Sequence, residues 1–312
     1  MKAGDNWTGE PGAGHPAAGI PATRVSALES ESEKFEIPFS EGMLVFRRWS
    51  CPGPDCEAVL LVHGGSGSWS HWYRNIEYLR QRFDVFAVDL PGLGDSSALA
   101  ADYGAEDAVS AVSSCLESSR VLSTSALSTN RSGALHLVGF SWGCVVASQV
   151  AKSHKLKSLM LLGPAAVGDI LRRGLIKPLI RRTKGMSPRE VFAANKENLA
   201  RLMIYNREEI DDLAVYLQTI NTNRSRFNSA QFATTTLALD GVKAVTTPLM
   251  VLYGEHDAAA GGRAGIELRR ELFQAVRPDM TFEIVPDAGH WLQYEQSELF
   301  NKKLEQWVEQ NT

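Results

Sequence analysis

Cysteine is scarce in this chain, with four residues in 312, at positions 51, 56, 115 and 144. None sits in a Cys-x-x-Cys pair or beside a histidine at zinc-ligand spacing, which argues against a metal site, and no organic cofactor is implied. The spacing leaves a bridge between Cys51 and Cys56 open without requiring one. Long apolar runs are missing too, so no segment has membrane-spanning length. Positive charge is not in excess: 32 Lys and Arg against 36 Asp and Glu give a net charge of −4, which argues against nucleic acid as the main partner. The first thirty residues carry glycine, proline and small side chains, but no basic stretch followed by an apolar signal core. Residues 1–33 are therefore expected to be a mobile leader on a cytoplasmic protein. What remains is 44% hydrophobic and 22% charged, the balance of a globular chain large enough for one α/β domain with an insertion.

From Lys34 the pattern turns β-like: KFEIPF and GMLVFRRW, separated by Ser40 to Gly42, predict an entry hairpin. Short, almost wholly apolar runs follow at Ala58–Val62, Phe83–Leu90, Ala134–Phe140, Leu156–Gly163, Pro248–Gly254 and Thr281–Pro286. Runs apolar on both faces are what a parallel sheet covered by helices requires. Helical periodicity lies between them, as in Ala108, Val109, Val112, Cys115 and Leu116, so the alternation predicts a doubly wound sheet. The stretch 165–240 has no convincing strand and reads as a helical cap inserted between two strands. Its first helix is expected to carry Ile170, Leu171, Leu175, Leu179 and Ile180 on one side and Arg172 to Lys184 on a solvated face. The core domain is then 34–164 and 241–312, and the serine-rich stretch 118–132 reads as a loop.

Four motifs carry chemistry, and each follows an apolar run. Gly139-Phe140-Ser141-Trp142-Gly143 lies between a buried strand and a buried helix, the context in which G-x-S-x-G puts a nucleophilic serine on a tight turn. His63-Gly64-Gly65-Ser66-Gly67-Ser68-Trp69 is glycine-rich, so the backbone N–H of Gly65 or Ser66, with that of Trp142, can form an oxyanion hole. Gly254-Glu255-His256-Asp257 and Asp287-Ala288-Gly289-His290-Trp291 supply an acid and a base. Serine at neutral pH needs an imidazole to take its proton, and the imidazole needs a carboxylate to fix its tautomer. Ser141, Asp257 and His290 meet those needs, in the chain order Ser, Asp, His, from loops at strand carboxyl ends.

These motifs, together with DLPGLGDS at 89–96, resemble the α/β-hydrolase superfamily over Lys34 to Thr312. HWYRNI, the capped layout and the GHWLQYEQSELF segment are similar to serine esterases and to meta-cleavage-product hydrolases, which cut carbon–carbon bonds. The latter typically carry asparagine where this chain has Phe140 and His71. The resemblance and the motifs together imply a serine hydrolase acting on a carboxylic ester of a small, mainly apolar molecule. The alternatives are a carbon–carbon bond hydrolase and a ligand receptor on a hydrolase fold.

Ser66, Trp69, Phe140 and Trp291, which border the motifs, and Arg224 and Arg226 of the cap are the candidates for contacting substrate. An apolar pocket is expected from Met203, Ile204, Tyr205, Tyr216 and Phe227. His63 and Asp89 read as residues that hold turns, His256 as a structural or rim residue, and Cys144 as a small buried side chain. The only expected partner is the small-molecule substrate, with no membrane partner; the sequence does not determine the oligomeric state.

Overall fold

The computed structural model describes residues 19–40, 42–54, 56–98, 103–117, 135–170 and 177–312. The expected loop at 118–132 lies outside the described residues, as do 1–18 and the 171–176 part of the expected first cap helix.

The two hairpin segments and all six apolar runs form strands: β1 (Glu33–Phe39), β2 (Gly42–Trp49), β3 (Glu57–Val62), β4 (Phe83–Asp89), β5 (Leu135–Phe140), β6 (Ser158–Leu162), β7 (Leu249–Gly254) and β8 (Thr281–Val285). They make one sheet in the order β1-β2-β4-β3-β5-β6-β7-β8. The β1–β2 and β2–β4 pairs are antiparallel and the rest parallel. Side chains alternate along β3, so Leu60 and Val62 join the core on one face and Val59 and Leu61 the core on the other. One face is covered by α3 (Ala105–Glu117), α4 (Trp142–Val150), α7 (Leu237–Lys243) and α8 (Gly262–Val276). The other is covered by α1 (Gly19–Ser30), α2 (Tyr73–Leu79), α9 (Leu292–Glu295) and α10 (Ser297–Gln310).

The helix α1 corrects the expectation of a mobile leader through residue 33. Val25 and Leu28 are buried against that second core, and the Trp49 indole N–H donates to the Leu28 carbonyl at 2.8 Å. Glu29 at its end pairs with buried Arg47. Its apolar residues are too few to stand out by periodicity, and it is held by tertiary contacts instead. The bridge that spacing left open is present: Cys51 and Cys56 are joined by a disulfide between β2 and β3.

Between β6 and β7 lie α5 (Pro188–Asn198) and α6 (Asp212–Asn223), with shorter turns of helix at Leu199–Met203, Arg207–Glu209 and Ser229–Phe232. Ser187 and Glu190 form a capping box with Pro188 in the first turn of α5, and Asp211 caps α6 through the Ala214 N–H. The helix expected around 170–180 is not formed over 177–187, which is irregular. Pro178 accounts for this, since it lacks a donor and its ring collides with the preceding helical turn. At the other end, α7 crosses the expected boundary at 240 and packs on α4, where Gly241 lets Ser148 come close.

Candidate active site

Ser141 occupies the turn from β5 into α4 with φ 52° and ψ −112°, a conformation L-residues rarely adopt. The turn closes because a side chain is missing on each flank. A Cβ on Gly139 would sit 2.7 Å from the Gly143 carbonyl oxygen, and one on Gly143 would sit 2.2 Å from that of Val62. The Ser141 N–H donates to the Leu162 carbonyl at 2.8 Å, which ties the turn to the end of β6. The serine hydroxyl therefore projects at the carboxyl end of the sheet, at the N-terminus of α4, whose first N–H groups have no intrahelical acceptor.

His290 follows β8 and Asp257 follows β7, and the three side chains meet in a line. Ser141 Oγ lies 2.9 Å from His290 Nε2, and His290 Nδ1 lies 2.8 Å from Asp257 Oδ2. The other Asp257 oxygen accepts the Ala260 N–H at 2.9 Å, and the carboxylate is fully buried. With Nδ1–H donated to Asp257, Nε2 is left as the acceptor facing the hydroxyl. Gly163, with φ 52°, leaves room for this pair, since a Cβ there would lie 3.0 Å from the imidazole and 3.1 Å from Asp257 Oδ2. Only its place at the end of an apolar run hinted at that role.

The loop after β3 is held by buried polar groups. His63 Nδ1–H donates to the Gly64 carbonyl at 2.7 Å, and Nε2 accepts the Leu90 N–H at 2.9 Å. Burial lowers its pKa, which keeps the ring neutral and able to do both. Asp89 accepts from the N–H groups of Trp69 and Asp95 and pairs with Arg47, as expected of a residue that holds turns. His71 accepts the Gly64 N–H at 3.3 Å; burial, with His63 and His290 nearby, drives its pKa well down. Gly65 packs tightly: a Cβ there would meet Ser229 Oγ of the cap at 2.0 Å and the Trp142 Cβ at 3.8 Å. The Gly65 and Trp142 backbones thus flank one space beside Ser141.

That space opens into a cavity of about 440 Å³ between core and cap. Gly65, Ser66, Phe140, Ser141, Trp142 and His290 line it. Trp69 and Trp291 do not. Trp69 is buried against Trp49 and Arg47, and Trp291 donates its indole N–H to the His71 carbonyl from within the core. Arg224 and Arg226 are also outside it, because their guanidinium groups are spent on the 94–96 turn: Arg224 pairs with Asp95, and Arg226 donates to the Gly94 and Ser96 carbonyls. Of the five apolar residues expected in the pocket, Met203 alone lines it. Phe227 instead stacks near Trp142 and Tyr103. The cap wall is more polar than its composition suggested, with Arg182, Asn195, Asn198, Gln218, Thr222 and Ser229. None of these stands in a motif, so only the folded geometry reveals them.

Glu295 in α9 was also missed. Its carboxylate accepts the N–H groups of Tyr205 and Asn206 in the cap, at 3.1 and 2.5 Å, and of Gly289, at 2.7 Å, beside His290. Burial raises its pKa against the effect of these bonds. His256 is a rim residue stacked on Tyr205, and Cys144 is buried with its thiol donating to the Gly139 and Leu162 carbonyls. Among the described residues no helix is long and apolar enough to cross a membrane.

Known proteins are similar to this chain over most of its length. The acetyltransferase component of an acetoin cleaving system from Cupriavidus necator is 25% identical over 295 residues, 88% of this chain and 69% of that protein. A 2-hydroxy-6-oxononadienedioate/2-hydroxy-6-oxononatrienedioate hydrolase from Comamonas testosteroni is 25% identical over 290 residues, covering 88% and 95%. The solved esterase of Thermogutta terrifontis superposes with a TM-score of 0.66 at 22% identity, over 90% of this chain and 100% of that one, a likeness of fold. The profile described as the alpha/beta hydrolase family matches residues 59–303. With the sheet order and the strand-end turns that carry Ser141, Asp257 and His290, this match makes the chain a member of the alpha/beta hydrolase family.

Proposed function

We propose that this hydrolase cleaves a carboxylic ester through an acyl-enzyme on Ser141. The observation that carries the reading is the unbroken relay from Asp257 through His290 to Ser141, ending in a cavity large enough for a small substrate. Ser141 Oγ attacks the carbonyl carbon as its proton passes to His290 Nε2. The resulting oxyanion is met by the N–H groups of Gly65 and Trp142, donors already fixed before charge develops. The imidazolium then protonates the departing alcohol, leaving the acyl group on Ser141. Water attacks that ester in the same way, with His290 as base, and releases the acid. Asp257 holds the Nδ1 proton throughout. The insertion between β6 and α7 acts as the cap that selects substrates.

Carbon–carbon cleavage is the second reading, favoured by the hydrolase of Comamonas testosteroni among the relatives. The positions where such enzymes typically carry asparagine are here aromatic rings packed on one another: His71 lies 5.4 Å from Phe140, and Phe140 lies 5.1 Å from His290. Neither Phe140 nor the neutral His71 offers the carboxamide donor of that chemistry.

Ester turnover is tested with short activated esters and a fluorophosphonate probe on wild type and Ser141→Ala. The expected result is labelling of wild type alone, and loss of turnover by about 10⁴-fold or more with little change in melting temperature. Substantial turnover by the variant overturns the assignment. Cleavage of a vinylogous 1,5-diketone in preference to every ester supports the second reading, and tight binding of esters with a marked melting shift but almost no product supports a receptor.

A further inference from the structure

Arg182 differs from the three cap arginines that are paired with carboxylates. Arg201, Arg207 and Arg224 each lie within 3.2 Å of a carboxylate oxygen. Arg182 is half-buried, lines the cavity that contains Ser141, and has no carboxylate within 4.0 Å among the described residues. Of its five N–H donors, one Nη1–H is used among the described residues, to Asn223 Oδ1 at 2.7 Å. Burial lowers its pKa, so its surroundings do not compensate its charge.

Its placement is built rather than incidental. The irregular segment that carries it is gripped two residues upstream by Asn198, which accepts the Ile180 N–H at 2.7 Å and donates to the Ile180 carbonyl at 2.9 Å. Arg201 donates to the Pro178 carbonyl in the same segment. Gln218 lines the same cavity from α6, and its carboxamide has no hydrogen-bond partner among the described residues; Thr222 follows one helical turn later. Among the described residues, a cation with unused fork donors and an unpaired carboxamide therefore line the same cavity as the candidate nucleophile.

We infer that Arg182 is the anchor for a carboxylate on the substrate, so that the esters this site takes are acid-bearing, with the anion held on the cap wall while the scissile carbonyl sits at Ser141. A planar carboxylate matches the planar guanidinium fork, and Gln218 supplies a further neutral donor. One cation balances one carboxylate, whereas a phosphate dianion would leave charge uncompensated. The inference rests on the ester reading for its chemistry, and on Arg182 alone for the anion.

The test measures kcat/KM by proton release for three substrate types. Monomethyl esters of succinic to suberic acid put the carboxylate on the acyl side, 6-acetoxyhexanoate puts it on the leaving alcohol, and methyl hexanoate and hexyl acetate are the neutral controls. Wild type should prefer one acid-bearing series over its neutral control by about tenfold or more, the scale of a charge-assisted pair. Arg182→Gln should bring that ratio to about one through KM, and Arg182→Lys should restore part of it. Equal turnover of acid-bearing and neutral esters by wild type, or a preference that survives Arg182→Gln, overturns the inference. If no ester is turned over, the ester reading fails separately, and calorimetric binding of adipate to the full chain still decides the anion site: adipate binding lost in Arg182→Gln supports it, and no binding, or binding that persists, overturns it.

Discussion

The core wall and the cap wall of the cavity are built by different means. On the core side, Ser141, Asp257 and His290 stand on turns at strand ends, fixed by backbone hydrogen bonds and by approaches too close for a Cβ at Gly139 and Gly143. On the cap side, Arg182 sits in irregular chain held by the side chains of Asn198 and Arg201. Geometry that must be accurate to a few tenths of an ångström is assigned to the backbone. The geometry proposed to choose among substrates rests on side chains, which can be exchanged without disturbing the sheet.

The sharpest way to break the comparison is Asp257→Asn. The amide favours the wrong histidine tautomer, so kcat should fall by about 10³ to 10⁴-fold with KM for a short ester little changed. A fall below about tenfold would remove Asp257 from the relay. Acid should come next. Burial lowers the folded pKa values of His63 and His71, and that of His136 to about 4. Each unfolded histidine titrates near 6.5, so the stabilisation is complete above that pH. It is lost as pH falls below it, because the unfolded chain takes up protons the folded chain refuses. Urea midpoints should drop from pH 7 to 5, as the unfolding free energy falls by up to about 1.4 kcal/mol per pH unit for each histidine. Midpoints that stay flat or rise would contradict the neutral, buried rings.

Gly143→Ala compares the walls directly. Its Cβ would press on the carbonyl oxygens of Val62 and His63, both backbone, at 2.2 and 2.5 Å. A loss of about 1 to 3 kcal/mol is expected by thermal or urea unfolding. In the cap, Gly185→Ala meets nothing within 4 Å and should change stability by less than about 0.5 kcal/mol. The smallest functional effect belongs to Arg224→Gln. Its pair with Asp95 is half-exposed on the arginine side, so a loss of under about 1 kcal/mol, shrinking further in salt, is expected, with ester turnover within about twofold.

This division also explains what could be read from the sequence. The strands were legible because burial on both faces forces continuous apolar runs, and the turns bearing Ser141, Asp257 and His290 follow those runs directly. Arg182, Asn198 and Gln218 come from three separate segments, and no spacing rule links them. Arg224 and Arg226 had the right charge but the wrong neighbours, since carboxylate and carbonyl acceptors in the 94–96 turn already occupy them. The helix α1 was hidden for another reason. Its order depends on Trp49 and Arg47, which belong to a strand later in the chain.

The three bonds accepted by Glu295 join two segments far apart in the chain. Tyr205 and Asn206 belong to the cap, and Gly289 precedes His290, yet one carboxylate holds all three N–H groups. If the cap swung away as a whole from this corner, the base would lose the support of its own loop. The irregular 177–187 segment brings exposed Leu179 to the cavity lining. The corner at Glu295 thus joins the insertion to the loop of His290, whereas the segment that carries Arg182 is held by Asn198 and Arg201, both within the insertion.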